Sequence, residues 1–310
     1  IYPLSLHDAL PICDASPPAL PSATATFDQV SVTPTVPVGG GLGGVVDWSL
    51  DNAFADIMKQ THRWEFVSGS GAVPMDSQGD PTVSNVEVFI QTLPLGFSQQ
   101  YNGTYKLSYQ GNATPTAGWS PSSVTVTNVV YNAGTNTTTA NVNVNFNSGT
   151  SGYWILRFVG GTAPKNIQMM RPGYSTTNPP EFTTEYIQHV EQFNTLRFMD
   201  WTQTNGNPQV NWSDRSLITN QSWPPGGVPW EVCVDLANAA HRNMWINVPI
   251  GATDDYVQQL AALIKARLDP DLSVFVEYSN EVWNAGFSQY SVNRNAAVAV
   301  TYRKRGESSW

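Results

Sequence analysis

A carboxylate directly follows an amide at Asn280-Glu281, where the apolar stretch that begins at Ser273 ends. The stretch alternates apolar residues in the manner of a buried strand, so both polar side chains are expected at its carboxyl end. A glutamate there can serve as a general acid or base if burial beside Tyr278 and Trp283 favours its protonated form near neutral pH. The neighbouring amide can hydrogen-bond a hydroxyl group of a bound ligand. The pair therefore favours acid–base chemistry on a hydroxyl-rich substrate.

Four predicted strands alternate with four predicted helices in the second half of the chain. The strands cover 165–174, 195–201, 243–249 and 273–281, and the helices cover 182–193, 230–242, 254–268 and 288–300. This alternation predicts a parallel sheet with right-handed crossovers, and four such units form the first half of a TIM-type barrel over 161–310. Functional residues of that fold lie at the carboxyl ends of the strands. Here those ends carry Arg171, Arg197, Asp200, Trp201, Asn247, Asn280, Glu281, Trp283 and Asn284.

This set of strand-end residues resembles the clan A glycoside hydrolases, the (β/α)8 group that contains cellulases, mannanases and arabinofuranosidases. In that group the general acid/base is a glutamate directly after an asparagine at the end of the fourth strand, which is the position of Asn280-Glu281. An arginine on the second strand, matched by Arg197, orients the nucleophile in cellulase-type members. The resemblance covers about 164–300. The phrase YSNEVWN is also shared with long bacterial proteins loosely labelled cellulose-binding.

The resemblance implies a secreted or cell-surface hydrolase of a β-linked polysaccharide that works with retention. Retaining enzymes hold two carboxyl groups about 5–5.5 Å apart, one as acid/base and one as nucleophile. The implied catalytic residues are Glu281, Asn280 and Arg197, and the implied substrate contacts are Trp201, Asp200, Trp283, Asn284, Asn247 and Arg171. Ile250 stands near the strand-three position where cellulase-type members usually have a histidine, and the nucleophile belongs on strand seven. We therefore expect a truncated parent enzyme whose present chain does not hydrolyse glycosides.

Each candidate also has a structural explanation. Glu281 can cap the helix that follows, and Asp200 can cap a loop. Glu277 shares a strand face with Glu281 and is expected to form an ion pair with Arg197, because an arginine inside a barrel strand must be paired. The main alternative function is therefore a non-catalytic carbohydrate-binding or cell-surface protein with a degenerate barrel. A polysaccharide lyase ranks last, because Tyr278 is expected on the opposite strand face.

The region 85–160 has a period of two instead. Short alternating segments separated by Gly, Asn and Ser turns predict an antiparallel β-sandwich. The clearest alternation predicts Val142, Val144 and Phe146 on one face, with asparagines on the other. Nothing in this alternation decides whether the sandwich binds sugar or only supports the barrel.

The first part of the chain carries less structure. Residues 4–12 resemble the translation of a sequencing-adapter oligonucleotide, so 1–13 are expected to be an artefact. The Pro- and Gly-rich segment 14–44 is typical of a linker. Residues 45–84 are expected to lead into the barrel or pack on it, with helical spacing over 54–61.

Composition narrows the possible partners. The 310 residues carry a net charge of −9, which argues against nucleic acid and anionic membranes. No apolar run approaches the ~18 residues that span a bilayer. Trp, Tyr and Phe number 11, 12 and 12, which suits sugar-stacking surfaces or a core. The two cysteines, Cys13 and Cys233, and four scattered histidines form no metal motif, so we expect no metal and no cofactor. Separately, we expect a monomer.

Overall fold

The predicted fold class is confirmed by a computed structural model that describes residues 39–118 and 123–307, with side chains as far as 298. Two antiparallel four-stranded sheets form a sandwich, and a parallel sheet whose strands alternate with helices accompanies it. Closure of the parallel sheet into a barrel stays a prediction. The predictions made for 1–13 and for 14–38 lie outside the described residues.

Twelve strands and four α-helices organise the described part of the chain. In chain order the strands are β1 (Gly39–Gly41), β2 (Trp64–Phe66), β3 (Val86–Leu93), β4 (Gly103–Gln110), β5 (Thr114–Ala117), β6 (Val124–Asn132), β7 (Thr137–Val144), β8 (Gly152–Val159), β9 (Lys165–Met170), β10 (Thr195–Arg197), β11 (Asn243–Val248) and β12 (Val274–Tyr278). The helices are α1 (Thr184–Val190), α2 (Trp230–Ala240), α3 (Asp254–Arg267) and α4 (Ser288–Glu307). Short 3-10 helices lie at Ile57–Gln60, Ser98–Tyr101 and Trp212–Asp214.

The sandwich is built as its alternating sequence predicts. Its sheets have the strand orders β2-β3-β8-β5 and β6-β7-β4-β9. Val142, Val144 and Phe146 all enter the core between the sheets, where they join the aromatic side chains of Tyr105 and Trp154. The core is therefore formed by the inward-facing residues of both sheets, as in other two-layer β structures.

The whole sandwich is inserted between the first strand and the first helix of the parallel sheet. That sheet has the order β1-β10-β11-β12, with every neighbouring pair parallel. The chain leaves β1 at its carboxyl end, forms β2 to β9, and returns at α1. The sandwich is therefore attached to the end of the sheet at which strand-end side chains lie.

Two strand assignments differ from the sequence prediction. The segment 165–174 is predicted to open the parallel sheet, but β9 pairs antiparallel with β4 in the sandwich. The first strand of the parallel sheet is β1, which lies inside the predicted linker. Gly40 is required there, because a Cβ atom would lie 2.7 Å from the ring of Phe193. Three glycines carry no strand preference, so the sequence pattern misses this strand.

The helix predicted over 54–61 is wrong. Only the 3-10 helix Ile57–Gln60 forms, and the Asp56 carboxylate caps it by accepting from Met58 N at 3.1 Å. Phe54 packs in the core of the parallel sheet, whereas Ile57 and Met58 pack in the sandwich core. The chain passes from one core to the other within these few residues. Burial of side chains in both cores therefore outweighs the preference for a continuous helix.

The helices around the parallel sheet agree with their sequence signals. The Thr183 and Thr253 hydroxyls cap α1 and α3 by accepting from Tyr186 N and Tyr256 N. Cys233 is fully buried on α2, as expected of a small apolar side chain, and burial raises the pKa of its thiol well above the usual value. Among the helices of the described ranges, none is long and apolar enough to cross a membrane.

The parallel sheet has an uncovered edge at β12. Phe275 and Val276 on this strand are more than half exposed. The strands of parallel sheets are normally covered on both faces. The edge strand that carries the candidate site therefore presents an apolar surface beside it.

Candidate functional site

The register of the parallel sheet brings four polar or aromatic side chains to one face at the carboxyl ends. Arg197 on β10 is paired with Trp245 on β11, and Asn247 on β11 is paired with Glu277 on β12. Trp245 and Asn247 are two residues apart and so share a strand face. Side chains from three neighbouring strands therefore meet at this end of the sheet.

The Glu277 carboxylate is the centre of this group. Its Oε2 accepts from an Arg197 guanidinium nitrogen at 2.9 Å, from Trp245 Nε1 at 3.1 Å and from Asn247 Nδ2 at 2.7 Å. The Arg197 guanidinium also lies 4.8 Å from the centre of the Trp245 ring. The expected ion pair between Arg197 and Glu277 is therefore confirmed, and it is what allows a charged arginine on this strand.

Asn280 is held at both ends of its amide and is only 2% exposed. Its Oδ1 accepts from Arg197 at 2.8 Å, and its Nδ2 donates to Asn205 Oδ1 at 3.0 Å. Gln289 at the start of α4 donates to Asn205 Oδ1 at 2.6 Å and to the Asn280 carbonyl at 2.9 Å. The loop after β10 and the first turn of α4 thus fix the orientation of this amide.

Glu281 lies on a strained turn. Ser279 and Glu281 have φ angles of 57° and 43°, a region that non-glycine residues seldom adopt and that clusters at functional sites. Asn284 Nδ2 donates to Glu281 Oε2 at 2.8 Å, and Asn284 N donates to the Glu281 carbonyl at the same distance. The turn holds a partly exposed carboxylate at the end of β12 in one position.

Three buried polar atoms in this group have no hydrogen-bond partner in the described part of the chain. They are Arg197 Nε, Asn247 Oδ1 and Ser279 Oγ. Leaving a buried polar atom unpaired costs about 1–3 kcal/mol. Asn247 is nearly inaccessible, and its Nδ2 also donates to the Ser279 carbonyl at 2.7 Å. Unsatisfied buried atoms also occur elsewhere in the described chain, and the three at the strand ends are the ones near Glu281 that a polar ligand or ordered water would satisfy.

The two tryptophans that were predicted to contact sugar differ in exposure. Trp201 is 1% exposed and packs in the core, stacked on Tyr186 at 6.0 Å, so neither face is available to a sugar. Trp283 is 69% exposed, and Tyr278 is also more than half exposed, with its hydroxyl donating to the Ile250 carbonyl. These exposed rings supply little of the burial that Glu281 was expected to receive. Asp200 lies exposed in the turn after β10.

Arg171 is not at the strand ends of the parallel sheet. It follows β9 of the sandwich and is buried at the junction of the two parts of the molecule. Its Nε donates to the Phe54 carbonyl at 2.8 Å, and another guanidinium nitrogen donates to Gln60 Oε1 at 2.9 Å. Burial lowers the pKa of this guanidinium. The predicted place of Arg171 at a strand end of the parallel sheet is wrong, because β9 belongs to the sandwich.

Sequence reasoning missed three residues of the site. Trp245 is recognisable from its parity with Asn247 on β11, once β11 and β12 are known to be neighbours. Asn205 and Gln289 have no local signal, because their contact depends on how α4 packs on the loop after β10. No group of three or more His, Cys, Asp or Glu side chains suited to a metal ion occurs among the described residues.

Comparison with protein-family models, with curated proteins and with solved structures gives no match to this chain. What the chain does must therefore be argued from the geometry of the strand ends. That geometry consists of a paired Arg197 and Glu277, a fixed Asn280 amide, and a carboxylate at Glu281 on a strained turn.

Proposed function

We propose that the strand ends form the acid/base half of a retaining glycoside-hydrolase site for a β-linked polysaccharide, in a secreted or cell-surface protein with a TIM-type barrel. Glu281 is the general acid/base, and Arg197 and Asn280 position it. Trp283, Asn284 and Asn247 are the sugar contacts that remain at this end of the sheet. The observation that carries the proposal is the group of buried, unpaired polar atoms beside the strained turn of Glu281.

The two carboxylates at the end of β12 have different environments, and this difference supports their roles. Glu277 accepts three hydrogen bonds through one oxygen, which suits a fixed negative charge that holds Arg197. Glu281 is partly exposed and bonds through one oxygen to Asn284. A group that exchanges a proton with a substrate needs this access, and a group that organises its neighbours does not.

The described residues supply a proposed acid/base but no second carboxylate suited to act as its nucleophile. Retention requires a nucleophilic carboxylate about 5–5.5 Å from the acid/base. Glu277 is already committed to its three donors, so it does not take this role. The exposed apolar edge at β12 is where further strand–helix units of a barrel would pack. The described strand ends are therefore proposed to bind β-linked sugars without cleaving them.

A second function is favoured by the state of Asn280. Its amide is buried, and both its oxygen and its nitrogen already have hydrogen-bond partners. It therefore has less capacity to bond a sugar hydroxyl than the amide beside a catalytic acid/base needs. Asn284 also uses Glu281 to complete a turn. Both observations suit a non-catalytic carbohydrate-binding or cell-surface protein in which a degenerate barrel keeps the scaffold of the site.

The test combines a thermal shift with an assay for new reducing ends. Cello-, xylo- and mannohexaose are added to the wild type, to Glu281→Gln and to the control Glu185→Gln, which changes an exposed carboxylate on α1. We expect at least one sugar to raise the Tm of the wild type and the control, because a ligand that binds only the folded state stabilises it. A smaller rise is expected for Glu281→Gln, with no reducing ends from any variant.

Each other outcome counts against part of the proposal. No Tm rise with any hexasaccharide would overturn the carbohydrate assignment of the strand ends. An equal rise in Glu281→Gln would favour the non-catalytic function. Clear release of reducing ends by the wild type, lost in Glu281→Gln, would show that the site is complete.

A further inference from the structure

We propose that the sandwich has a second carbohydrate-binding surface, formed by Trp48 and Tyr153, that takes a neutral β-linked polysaccharide. We call it the Trp48 surface: Trp48, His62, Arg63, Glu65 and Tyr153. Glu65 and Tyr153 lie on β2 and β8 of the sheet β2-β3-β8-β5, and Trp48, His62 and Arg63 precede β2 in the chain. None of the five belongs to the strand ends of the parallel sheet. It extends the proposed function to a separate site with its own test.

Tyr153 is exposed but firmly held. It lies on β8 opposite Thr92 of β3, and 44% of it is accessible. Its ring meets Phe89 edge to face, with 5.3 Å between the centroids. The Arg63 guanidinium lies 4.0 Å from the centre of the Phe89 ring and 5.9 Å from that of Tyr153. The ring therefore has neighbours that fix its orientation, and part of its surface stays available.

Trp48 lies beside the same pair of strands. The carbonyl of its neighbour Asp47 accepts from Thr92 N at 2.7 Å, and Thr92 is the residue opposite Tyr153. The Trp48 ring is 58% exposed and meets His62 edge to face at 5.1 Å. His62 Nδ1 in turn lies 3.0 Å from the buried Asp47 carboxylate. An exposed tryptophan ring offers a flat apolar surface, and its two side-chain torsions leave little rotamer entropy to lose.

The charges on this face cancel one another. Arg63 bonds the Glu65 carboxylate through two nitrogens, at 2.8 and 2.5 Å. Farther along the face, Arg157 donates to Glu87 at 2.6 Å. Neither a polyanion nor a polycation gains much from paired charges, and the net charge of −9 further disfavours a polyanion. A neutral polysaccharide, with apolar C–H faces for the rings and hydroxyls for the polar groups, fits this surface.

The test is native affinity electrophoresis in gels that contain barley β-glucan, xylan or glucomannan, with polygalacturonate as the polyanion. The variants are Trp48→Ala and Tyr153→Ala. The matched control is Tyr131→Ala, which removes an exposed aromatic ring from β6 on the other sheet. Trp283→Ala serves as the variant at the strand ends of the parallel sheet. Thermal unfolding of each variant verifies that the fold is kept.

We expect at least one neutral polysaccharide to retard the wild type. Trp48→Ala and Tyr153→Ala should each bind that polysaccharide about fivefold more weakly. Tyr131→Ala should be retarded like the wild type, whereas Trp283→Ala should lose only the part of the retardation that the proposed site at the strand ends contributes. The proposal is overturned if no neutral gel retards the wild type, if only polygalacturonate does, or if Trp48→Ala and Tyr153→Ala bind normally. Loss of retardation in Trp283→Ala alone would assign the binding to the strand ends and would also overturn it.

Discussion

Two arginines were predicted at the functional site, Arg171 as a sugar contact and Arg197 as a catalytic residue, and they lie in different parts of the molecule. Arg171 is buried at the junction between the sandwich and the parallel sheet, where it donates to the Phe54 carbonyl and to Gln60. Arg197 is at the strand ends, where it donates to Glu277 and Asn280. Both are buried or nearly so, and both have partners.

The two regions differ in what surrounds their buried polar atoms. At the junction, the Arg171 guanidinium donates to the Phe54 carbonyl and to the Gln60 side chain, on the segment that crosses between the two cores. The strand ends leave Arg197 Nε, Asn247 Oδ1 and Ser279 Oγ without partners in the described residues. The Tyr101 hydroxyl and Trp223 Nε1 near the junction also have no partner in the described part of the chain, so the strand ends are distinguished by unpaired atoms that lie beside the strained turn of Glu281.

The largest expected effect is at the junction. Arg171→Met should lower the free energy of unfolding by about 3–5 kcal/mol, because it leaves the buried partners of the guanidinium unpaired. Urea denaturation measures the loss, and Arg171→Lys, which keeps a charge but not the two-nitrogen geometry, should lose less. A loss below about 1 kcal/mol would remove the distinction between the two regions.

A smaller effect is expected from the ion pair at the strand ends. Glu277→Gln should lower the free energy of unfolding by about 1–3 kcal/mol, since it removes the charge that three donors share. In the double variant Glu277→Gln/Arg197→Met, the loss in free energy of unfolding should be smaller than the sum of the two single losses, because the two residues are in direct contact. Additive losses in a double-mutant cycle would contradict the shared network.

The junction should also show a pH dependence. Burial, and then the Asp235 carboxylate, raises the pKa of Glu181 to about 7, while Lys59 and Arg267 act in the opposite direction. The folded-state pKa lies above the unfolded one, so the neutral carboxyl stabilises the fold below about pH 4.5 and this contribution is lost as the pH rises through 7. Glu181→Gln should remove a fall of about 2 kcal/mol between about pH 5 and pH 8.

Urea midpoints measured across that pH range test this prediction. Glu185→Gln on the exposed side of α1 is the control, and it should keep the wild-type slope. An unchanged slope in Glu181→Gln would show that its carboxyl is not the group that titrates.

The smallest effect on stability is expected at the proposed acid/base itself. Glu281→Gln should change the free energy of unfolding by no more than about 0.5 kcal/mol, because the carboxylate is partly exposed and an amide can still accept from Asn284. Urea denaturation beside Glu277→Gln is the measurement. A loss as large as that of Glu277→Gln would make Glu281 part of the scaffold.

Much of the fold follows from periodicity. Period two in the first half of the chain predicted the sandwich, and strand–helix alternation in the second half predicted the parallel sheet. Periodicity does not say which sheet a strand joins, so β9 and Arg171 were assigned to the wrong one. It also cannot reveal β1, which consists of three glycines and exists because β10 lies beside it.

The contacts of the site that follow from a single structural rule were predictable from the sequence. The pairing of Arg197 with Glu277 followed from strand parity and from the need to neutralise a charge inside a sheet. The burial of Trp201 was not predictable, because the same apolar ring that packs in a protein core can also stack on a sugar. Asn205 and Gln289 were missed because only the packing of α4 brings them to Asn280.

The most direct measurement is a calorimetric titration of β-linked hexasaccharides in a Trp48→Ala/Tyr153→Ala background, which silences the Trp48 surface. Glu281→Gln at the strand ends is compared with Glu181→Gln at the junction. We predict that Glu281→Gln weakens binding by about tenfold or more and that Glu181→Gln leaves the Kd unchanged. Equal binding by both variants would contradict the role of Glu281, and no binding in this background would contradict a carbohydrate site at the strand ends.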